Sequence, residues 1–485
     1  MHNLIKNELF KIFKRKTIYF FWLFVFLVLL ARTIAVSTSK GENINVTLYY
    51  NKTDVTRSKK ELETMNIKDE ETREDYLINK NLIEFTNILH KYKKNSWQYQ
   101  YLMTKEDDFN SYNREIILYE NKINKDKERY EESLLNKKKL LNLLNYPKWQ
   151  DVVDYENREI DKLLKSEYLE PSQKKGLELQ KEVNNMRLKE NIPYNNDYLN
   201  SALENYLTSS SFLNNNTLPK KDGSMKTEEK INFYHRQKEM NLKALYIIKN
   251  KEDLDSTSTT KYMLNTFFSG GDFFIVVCIA LIAGTIISEE YEKGTIKNLL
   301  IKPYQREKIL TSKIITSLII LFLNVGLMFL LQIILGSIFL DTNSLSLPNM
   351  IYDPTKMRLV ALNPLKQFFL LFATDLPYYL FMNFSSLLVG TMFGISALAL
   401  LTPFLLSIAS GIVDVLFQMY NLKSPLLLII PFIHLRLSRY LFGAKPPYLI
   451  KYLSFNVSLI ISILYIIMIT ILTYIIFKRK DIKNI

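Results

Sequence analysis

The segment Ile314–Leu340, IITSLIILFLNVGLMFLLQIILGSIFL, decides the fold class of this 485-residue chain. It has no charged residue and is long enough to cross a bilayer, for which a helix needs roughly 20 apolar residues. Backbone polar groups must be paired inside hydrocarbon, and the run lacks the alternation of barrel strands, so a helix is expected. With this segment, the apolar runs predict six spans: 17–36, 273–287, 314–340, 368–392, 395–417 and 452–477.

The residues between the first two spans, 37–271, are polar and rich in charge. A short strand is predicted at 44–50. Elsewhere Ile, Leu and Tyr recur at three- and four-residue intervals, which is typical of amphipathic helices. This pattern covers residues 112–146, 157–168, 173–191 and 226–249. The predicted fold class is therefore an all-α integral membrane protein with a large, mainly helical domain inserted between its first two spans.

Basic residues are concentrated in three segments, 1–16, 289–313 and 478–485, whereas residues 33–288 hold equal numbers of acidic and basic residues. The positive-inside rule places the three basic segments in the cytoplasm. Segment 1–16 is then an interfacial helix, 478–485 a cytoplasmic tail, and both the inserted domain and the loop 341–367 lie outside. The composition suggests a bacterial plasma membrane. The net charge of +14 is a topology signal, so nucleic-acid binding is not predicted.

The first span has a second interpretation. A basic start followed by an apolar run and small residues near 35–39 is also the pattern of a cleaved signal peptide. Its removal would leave five spans and preserve every other orientation. Because apolar residues before the span recur at helical spacing, an uncleaved anchor preceded by an interfacial helix is favoured.

Several classes of site are absent from the sequence. Cys278 is the single cysteine, so no internal disulfide can form, and the four histidines lack the spacing of metal ligands. None of the 13 glycines is followed by lysine, which excludes a P-loop for ATP. No HExxH or GxSxG motif and no grouped Ser/His/Asp or Cys/His set is present. The sequence therefore predicts no metal site, no catalytic residue and no directly bound cofactor.

The charged segment Ser288–Lys313, SEEYEKGTIKNLLIKPYQREKILTSK, separates the second and third spans. Gly294 and Thr295 make a plausible break and helix cap, and Pro303 makes a plausible stop. The apolar residues between them would line one side of a short surface helix. Such a helix, with charged residues around it, suits the cleft of a partner protein. A solvated turn with inside-positive charge is the simpler interpretation of the composition alone.

The order of residues in this segment closely resembles the loop after the second span of ABC-2 type transporter permeases. That family's pattern is an acidic pair, a Gly-Thr step, a Leu-Leu pair, a proline, a basic residue and a lysine that opens the third span. In this sequence the matching residues are Glu289, Glu290, Gly294, Thr295, Leu299, Leu300, Pro303, Arg306 and Lys313. The resemblance extends more weakly to the interfacial helix, the six spans and the basic tail, but not to the interior of the inserted domain.

The resemblance implies a permease subunit of an ABC exporter. It would pair with a second copy or a sister permease and with two separate ATPase subunits, which would bind the ATP and magnesium. Residues 294–303, including Ile296, would form the coupling helix seated on the ATPase. Export or extraction of a hydrophobic or peptide substrate, such as an antimicrobial peptide or a lipid, is the expected activity.

Two acids at membrane depth, Asp375 and Asp414, are weaker candidates, because ionisable groups in a membrane are costly and often functional. Interfacial solvation near the outer ends of their spans is the simpler explanation and is slightly favoured. Residues 418–451 interrupt the apolar pattern with prolines, and the resemblance implies short re-entrant helices there, although an ordinary loop also fits.

Two other classes of protein remain open. A membrane sensor would also carry an outer domain between its first spans, but normally delivers a signalling domain after the second. A membrane enzyme acting on lipids or cell-wall precursors would need a grouped set of acids, histidines or serines, which the sequence does not offer.

Overall fold

The computed structural model of this chain describes residues 1–38, 52–166, 168–220, 222, 224–254, 259–265, 267, 272–300, 304–340, 343–420, 429–443 and 453–480. The strand predicted at 44–50 lies outside these residues. The chain is mostly helical and divides into two compact units. The first unit comprises Met1–Lys40, Pro219–Phe233 and Asp255–Ile485, and the second comprises Gly41–Leu218 and Tyr234–Leu254.

The described helices and strands are numbered in chain order. The helices before the hairpin are α1 (His2–Phe13), α2 (Lys16–Thr38), α3 (Lys52–Thr64), α4 (Arg73–Leu89), α5 (Trp97–Thr104), α6 (Glu106–Glu120), α7 (Lys127–Leu143), α8 (Trp149–Leu164), α9 (Pro171–Lys189), α10 (Asp197–Asn215), α11 (Met225–Asn250), α12 (Thr260–Asn265), α13 (Asp272–Ala283), α14 (Ser288–Glu292), α15 (Ile296–Leu300) and α16 (Arg306–Phe339). They are followed by β1 (Asn349–Asp353), β2 (Arg358–Leu362), α17 (Pro364–Phe393), α18 (Ser396–Tyr420), α19 (Phe432–Leu435) and α20 (Phe455–Arg479). Short 3-10 turns lie at Asn343–Leu345 and Leu437–Gly443.

Five stretches of the described helices are long and apolar enough to cross a membrane: Lys16–Thr38, Phe273–Glu292, Arg306–Phe339, Ser396–Val413 and Phe455–Arg479. The chain is accordingly a multi-pass membrane protein. The predicted span at 368–392 is not among the five. A 30-residue helix, α17, does occupy that position, but Asp375, Asn383 and neighbouring serines lower its hydropathy.

The third span begins earlier than predicted. The sequence places residues 306–313 in the loop because they are charged, but they form the first turns of α16, which runs to Phe339. Arg, Glu and Lys are good helix formers, and their charge does not end a helix that leaves the bilayer. The 25-residue helix α20 is likewise displaced from its predicted bounds and extends through Lys478 and Arg479.

The loop predicted at 341–367 contains two strands that the sequence did not predict. Strands β1 and β2 form an antiparallel hairpin in which Ile351 pairs with Val360. The side chain of Asp353 accepts hydrogen bonds from the backbone N–H of Thr355 at 2.9 Å and of Lys356 at 3.3 Å, which closes the turn. Short-range capping of this kind is typical of Asp in turns. The all-helical prediction therefore fails at these residues.

The apolar core of the first unit is formed largely by α2, α13, α16 and α17. On α16 the inward residues Leu310 and Met328 are almost completely buried, while Phe322 and Leu330 on the other side are about half exposed, at 48% and 54%. Such an apolar exposed face is expected of a helix that contacts lipid.

Helix α13 packs closely against α18 at Gly284. A Cβ atom at this position would lie 2.5 Å from the carbonyl oxygen of Ala280 and 2.9 Å from that of Ala399. No side chain fits in that space, so glycine allows the two backbones to touch. This contact brings the residues that follow α13 next to the start of α18.

The second unit has a separate core in which aromatic residues from α5, α6 and α8 meet, including Tyr101, Phe109 and Trp149. The helix predicted over 112–146 is interrupted there, because α6 ends at Glu120 and α7 begins at Lys127. The side chain of Asp126 accepts a hydrogen bond from the backbone N–H of Arg129 at 3.0 Å and caps α7. Apolar periodicity continues across the break, which is why the sequence alone predicts one helix.

Candidate functional site

The charged segment predicted as a coupling element folds into two short helices, α14 and α15, joined at Gly294. Gly294 has φ +64°, a left-handed conformation in which glycine is favoured, and its N–H donates to the carbonyl of Tyr291 at 3.0 Å. Thr295, which follows, is exposed. The chain therefore ends α14 and starts α15 within a few residues.

Glu290 of α14 lies in a buried network of ion pairs. Its Oε2 lies 2.8 Å from Nζ of Lys313 on α16, and its Oε1 accepts from Nζ of Lys11 on α1 at 2.8 Å. Glu8 of α1 completes the network, because its two carboxylate oxygens accept from Lys313 and Lys11, each at 2.9 Å. Two carboxylates and two ammonium groups thus hold three helices together.

The side chains of this network are largely shielded from water. The side chain of Lys313 is completely buried, and those of Glu8 and Glu290 are 6% and 13% exposed. Lys313 also donates to the carbonyl of Ile286 at 3.1 Å. Burial disfavours the charged form of Lys11, but Glu290 and Glu8 outweigh it and raise the pKa of Lys11. All the charges are therefore compensated in place.

The neighbouring acid, Glu289, binds α1 a second time. Its Oε1 accepts from Nη1 of Arg15 at 3.1 Å, and the same Nη1 donates to Oγ1 of Thr285 at 2.6 Å. Lys293 lies 3.0 Å from the other carboxylate oxygen. The acidic pair predicted from the sequence is thus divided between an outer contact at Glu289 and a buried one at Glu290.

The other side of α14 contacts the helices at the end of the chain. Glu292 accepts a hydrogen bond from the backbone N–H of Ser396, the first residue of α18, at 2.6 Å. The ammonium of Lys480 lies 4.1 Å from the ring centroid of Tyr291 and donates to the carbonyl of Thr391, near the end of α17, at 2.7 Å. Helix α14 therefore contacts or bonds to α1, α16, α17 and α18 within five residues.

Arg306 fixes the far side of the loop. Its guanidinium donates to the backbone carbonyls of Lys478 at 2.9 Å and Lys480 at 3.2 Å, both at the end of α20. Glu307 beside it forms an ion pair of 2.8 Å with the Lys478 side chain. The loop and the C-terminal helix are thereby joined.

Helix α15 presents a polar face outward. Ile296 is completely buried in the core of the first unit, and the half-buried Leu299 packs against the same core. Lys297 and Asn298 are exposed. Ile296 thus anchors α15 to its own chain, whereas the sequence placed it on the face offered to a partner. The side chain of Leu300 and all of Pro303 lie outside the described residues.

Asp375, one of the two candidate acids of the spans, has its partner outside this network. Asp375 on α17 is 4% exposed, and its Oδ1 accepts from the backbone N–H of Ser438 at 3.2 Å, in the 3-10 turn after α19. Nearby, the guanidinium of Arg436 lies 4.3 Å from the ring centroid of Tyr378. The predicted re-entrant region 418–451 is described in part, as α19 and this 3-10 turn. The side chain of Asp414 lies outside the described residues.

The sequence missed Glu8, Lys11 and Arg15 as members of the site. One signal was present, because Glu8 is the single acid among the basic residues of segment 1–16. Lys313 was recognised only as the end of the loop pattern. Among the described residues, no group of three His, Cys, Asp or Glu side chains is placed to hold a metal ion.

Comparison with known proteins gives a partial match to one curated relative. A stretch of 63 residues is 40% identical to the uncharacterized membrane protein YdbK of Bacillus subtilis (strain 168). The match covers 13% of this chain and 26% of that protein, so the chain matches about a quarter of the relative's length. No solved structure matches.

A protein-family model matches residues 231–483, which is just over half of the chain. It covers α12 to α20 and with them α14, α15 and Lys313, while α1, Glu8 and most of the second unit lie outside it. The matching family is a different one from the ABC-2 permeases that the charged segment resembles. The chain belongs to the family described as "Protein of unknown function (DUF2705)".

Proposed function

We propose that this chain is the permease subunit of an ATP-driven transporter, in which α15 receives the movement of a separate ATPase. One observation carries the proposal. Helix α14, which forms the end of the second span and precedes α15, is bonded to α1, α16 and α18 through Glu290 and Glu292. A displacement of α15 would therefore act on several membrane helices together.

The contacts of α15 suit a coupling element. Buried Ile296 fixes the helix to the core, so a force applied outside is carried inward, while Lys297 and Asn298 lie on the outer face. A polar, partly charged outer face fits a contact that must form and rearrange during a cycle. Switching between two states requires that the ATPase bind them with different affinity, and α15 is where we place that contact.

In this proposal helix α17 is also a span, the fourth along the chain, which brings the number of spans to six. It begins after the hairpin and ends next to α14, where Lys480 binds its last carbonyls. Helices α16 and α18, which precede and follow it, both start at that end. A helix of 30 residues is about 45 Å long and spans the bilayer even with polar residues in its interior.

The direction of insertion follows from charge. The basic segments 1–16, 289–313 and 478–485 contact one another through Lys11, Arg306 and Lys478 at one end of the first unit. The positive-inside rule makes this end cytoplasmic, where an ATPase would have access. The polar second unit then belongs on the outer side of a bacterial plasma membrane. There it could contact a peptide or lipid substrate before or after passage.

The assembly in this proposal contains two permease chains, identical or sister, and two ATPase subunits that bind ATP and magnesium. Export or extraction of a hydrophobic or peptide substrate is the activity we assign. This part depends on the resemblance of the charged segment to ABC-2 permeases.

The test is purification of the full chain from its native cell in mild detergent, followed by identification of co-purifying proteins by mass spectrometry. We expect a P-loop ATPase, and we expect its loss when Lys297→Glu and Asn298→Glu are combined on the outer face of α15. Lys366→Glu, an exposed lysine at the opposite end of the first unit, is the matched control and should retain the ATPase. Leu299→Asp is unsuitable because that side chain packs on the core.

A clean preparation without an ATPase would contradict the transporter assignment and favour a sensor or a membrane enzyme. An ATPase retained by the α15 variant but absent from a variant elsewhere would contradict the coupling assignment alone. The two parts of the proposal can therefore fail separately.

A further inference from the structure

The inward face of α16 carries polar side chains at positions where the rest of the helix is apolar. Lys313, Ser317, Asn324 and Gln332 are separated by four, seven and eight residues, which keeps them on one side of a helix. Each is 2% exposed or less. The face is therefore a buried polar stripe that continues from the ion-pair network into the middle of the span.

The first two residues of this polar stripe have partners. Lys313 binds Glu8 and Glu290, and Ser317 accepts a hydrogen bond from Nδ2 of Asn383 at 3.0 Å. These contacts explain why a charged and a hydroxyl side chain are tolerated at that depth.

Asn324 and Gln332, the other two residues of the polar stripe, differ in their hydrogen bonding. Among the described residues, Oδ1 of Asn324 and both amide atoms of Gln332 have no hydrogen-bond partner, although both side chains are completely buried. Nδ2 of Asn324 donates to Sδ of Met328 at 3.8 Å, a weak acceptor. Asn324, Met328 and Gln332 are each four residues apart, so the unpaired atoms lie on both sides of Met328 along one face.

A third residue extends this group. Oγ1 of Thr260 on α12 is also buried and, within the described ranges, unpaired. A Cβ atom at Gly336 would lie 2.6 Å from the Thr260 side chain, so α12 touches α16 one turn beyond Gln332. Unpaired polar atoms therefore recur along this part of the polar stripe.

An amide that is buried without a partner opposes folding, and in a membrane no bulk water is present to relieve it. Three unpaired atoms on one face of α16, together with Oγ1 of Thr260 on α12, could therefore be paired by small molecules bound between these helices. Because eight residues of helix separate the two amides by about 12 Å, separate molecules must donate to the oxygens of Asn324 and Gln332 and accept from Nε2 of Gln332. The side chains of Asn324, Gln332 and Thr260 are all neutral and include both donors and acceptors, so neutral molecules that donate and accept fit them.

We propose that Asn324 and Gln332 bind internal water, in a small site centred on Met328 and extending to Thr260. Water both donates and accepts and carries no charge, and buried waters pair with polar groups of this kind. The inference does not depend on the transporter assignment.

The test is X-ray radiolysis of the full chain in detergent, with methionine oxidation followed by mass spectrometry. Radiolysis turns a bound water into a hydroxyl radical in place, and methionine is readily oxidised to its sulfoxide. Met328 is 1% exposed and Met382 on α17 is completely buried, so bulk radicals reach them equally poorly. We expect Met328 to be oxidised several-fold faster than Met382.

A double variant, Asn324→Leu with Gln332→Leu, removes the amides and should lower the Met328 rate to that of Met382. Ser337→Ala is the matched control, because it removes a polar group from an exposed position of the same helix and should change neither rate. An unchanged Met382 rate in the double variant would show that its fold is intact. Equal rates for the two methionines in the unaltered protein, or a fast Met328 rate that survives in the double variant, would overturn the proposal.

Discussion

The two units of this chain contain ion pairs of similar length, one buried and one exposed to water. In the first unit, Lys313 is completely buried and lies 2.8 Å from Glu290, which is 13% exposed. In the second unit, Arg114 lies 2.6 Å from Glu74, but the two side chains are 42% and 60% exposed. The distances are alike, and the accessibility to water differs greatly. Distance alone therefore does not indicate how much an ion pair stabilises a fold.

The difference decides what each pair can do. Removing charges from water is costly, so a buried pair is stable only while every member stays paired, and loss of one member leaves the other uncompensated. An exposed pair exchanges one solvated state for another and contributes little. The network at Lys313 can thus fix the relative positions of three helices, whereas the pair at Arg114 cannot act as a comparable constraint.

The largest effect is expected for Lys313→Met, which leaves Glu8 and Glu290 buried with Lys11 as their remaining partner. We expect a loss of about 3–5 kcal/mol in stability, because a buried charge without its partner is strongly destabilising. Thermal unfolding in detergent, together with hydrogen exchange of α1 and α14, would measure it. Both helices should lose protection.

A second substitution separates lost charge balance from lost packing. Lys313→Met combined with Glu290→Gln removes one acid with the lysine and should recover part of the stability. Lys308→Met, at an exposed position of the same helix, is the control and should have little effect. If Lys313→Met were as stable as the unaltered protein, the network would not be a structural constraint and the contrast between the units would fail.

An intermediate effect is expected in the second unit, where Arg187 is 8% exposed. Its guanidinium lies 3.9 Å from the ring centroid of Tyr194 and donates to the carbonyl of Ile192 at 3.2 Å and to Oδ1 of Asn200 at 2.6 Å. Burial lowers the pKa of Arg187. Arg187→Lys cannot reproduce the planar stack and should cost about 1–3 kcal/mol.

Hydrogen exchange across the end of α9 and the start of α10 would measure this loss, because the guanidinium bridges those segments. Arg158→Lys on α8 provides the comparison at an exposed position and should leave exchange unchanged. Equal hydrogen-exchange rates in the two variants would mean that a buried arginine in the second unit stabilises the fold no more than an exposed one.

Much of the architecture follows from local patterns, and the exceptions are informative. The apolar runs located five membrane helices, because a span is a property of consecutive residues, while the sixth predicted span, 368–392, is not among the candidate spans. The hairpin at β1 and β2 was missed because five-residue strands are decided by their partner as much as by their own sequence. Helices α6 and α7 were merged because Asp126 caps the start of α7 without interrupting the apolar period.

The candidate site shows the same limit. The charged loop was recognisable from residue order, but the network joins Glu8, Glu290 and Lys313, which are remote in sequence. No periodicity reports contacts at that range. Ile296 also illustrates the problem, because an apolar residue on a short helix can face its own core or a partner, and only the fold decides between them.

The smallest effect is expected for the exposed pair. The two terminal nitrogens of Arg114, Nη1 and Nη2, donate to Glu74 at 2.6 and 2.7 Å. These bonds lower the pKa of Glu74 below its ordinary value of 4.5. Because the folded-state pKa is depressed, any stabilisation is complete above pH 4.5 and is lost as the pH falls through the depressed value. Solvent screening limits it to below about 1 kcal/mol.

Glu74→Gln tests this estimate, with differential scanning calorimetry of the full chain at neutral and acidic pH and at two salt concentrations. The variant should differ slightly from the unaltered protein at neutral pH and low salt, and the difference should shrink with added salt or with acid. Lys308→Met should show no such dependence. If Glu74→Gln lost as much stability as Lys313→Met, the two parallel hydrogen bonds of Arg114 would contribute more than burial does. Exposure to water would then not explain the difference between the ion pairs of the two units.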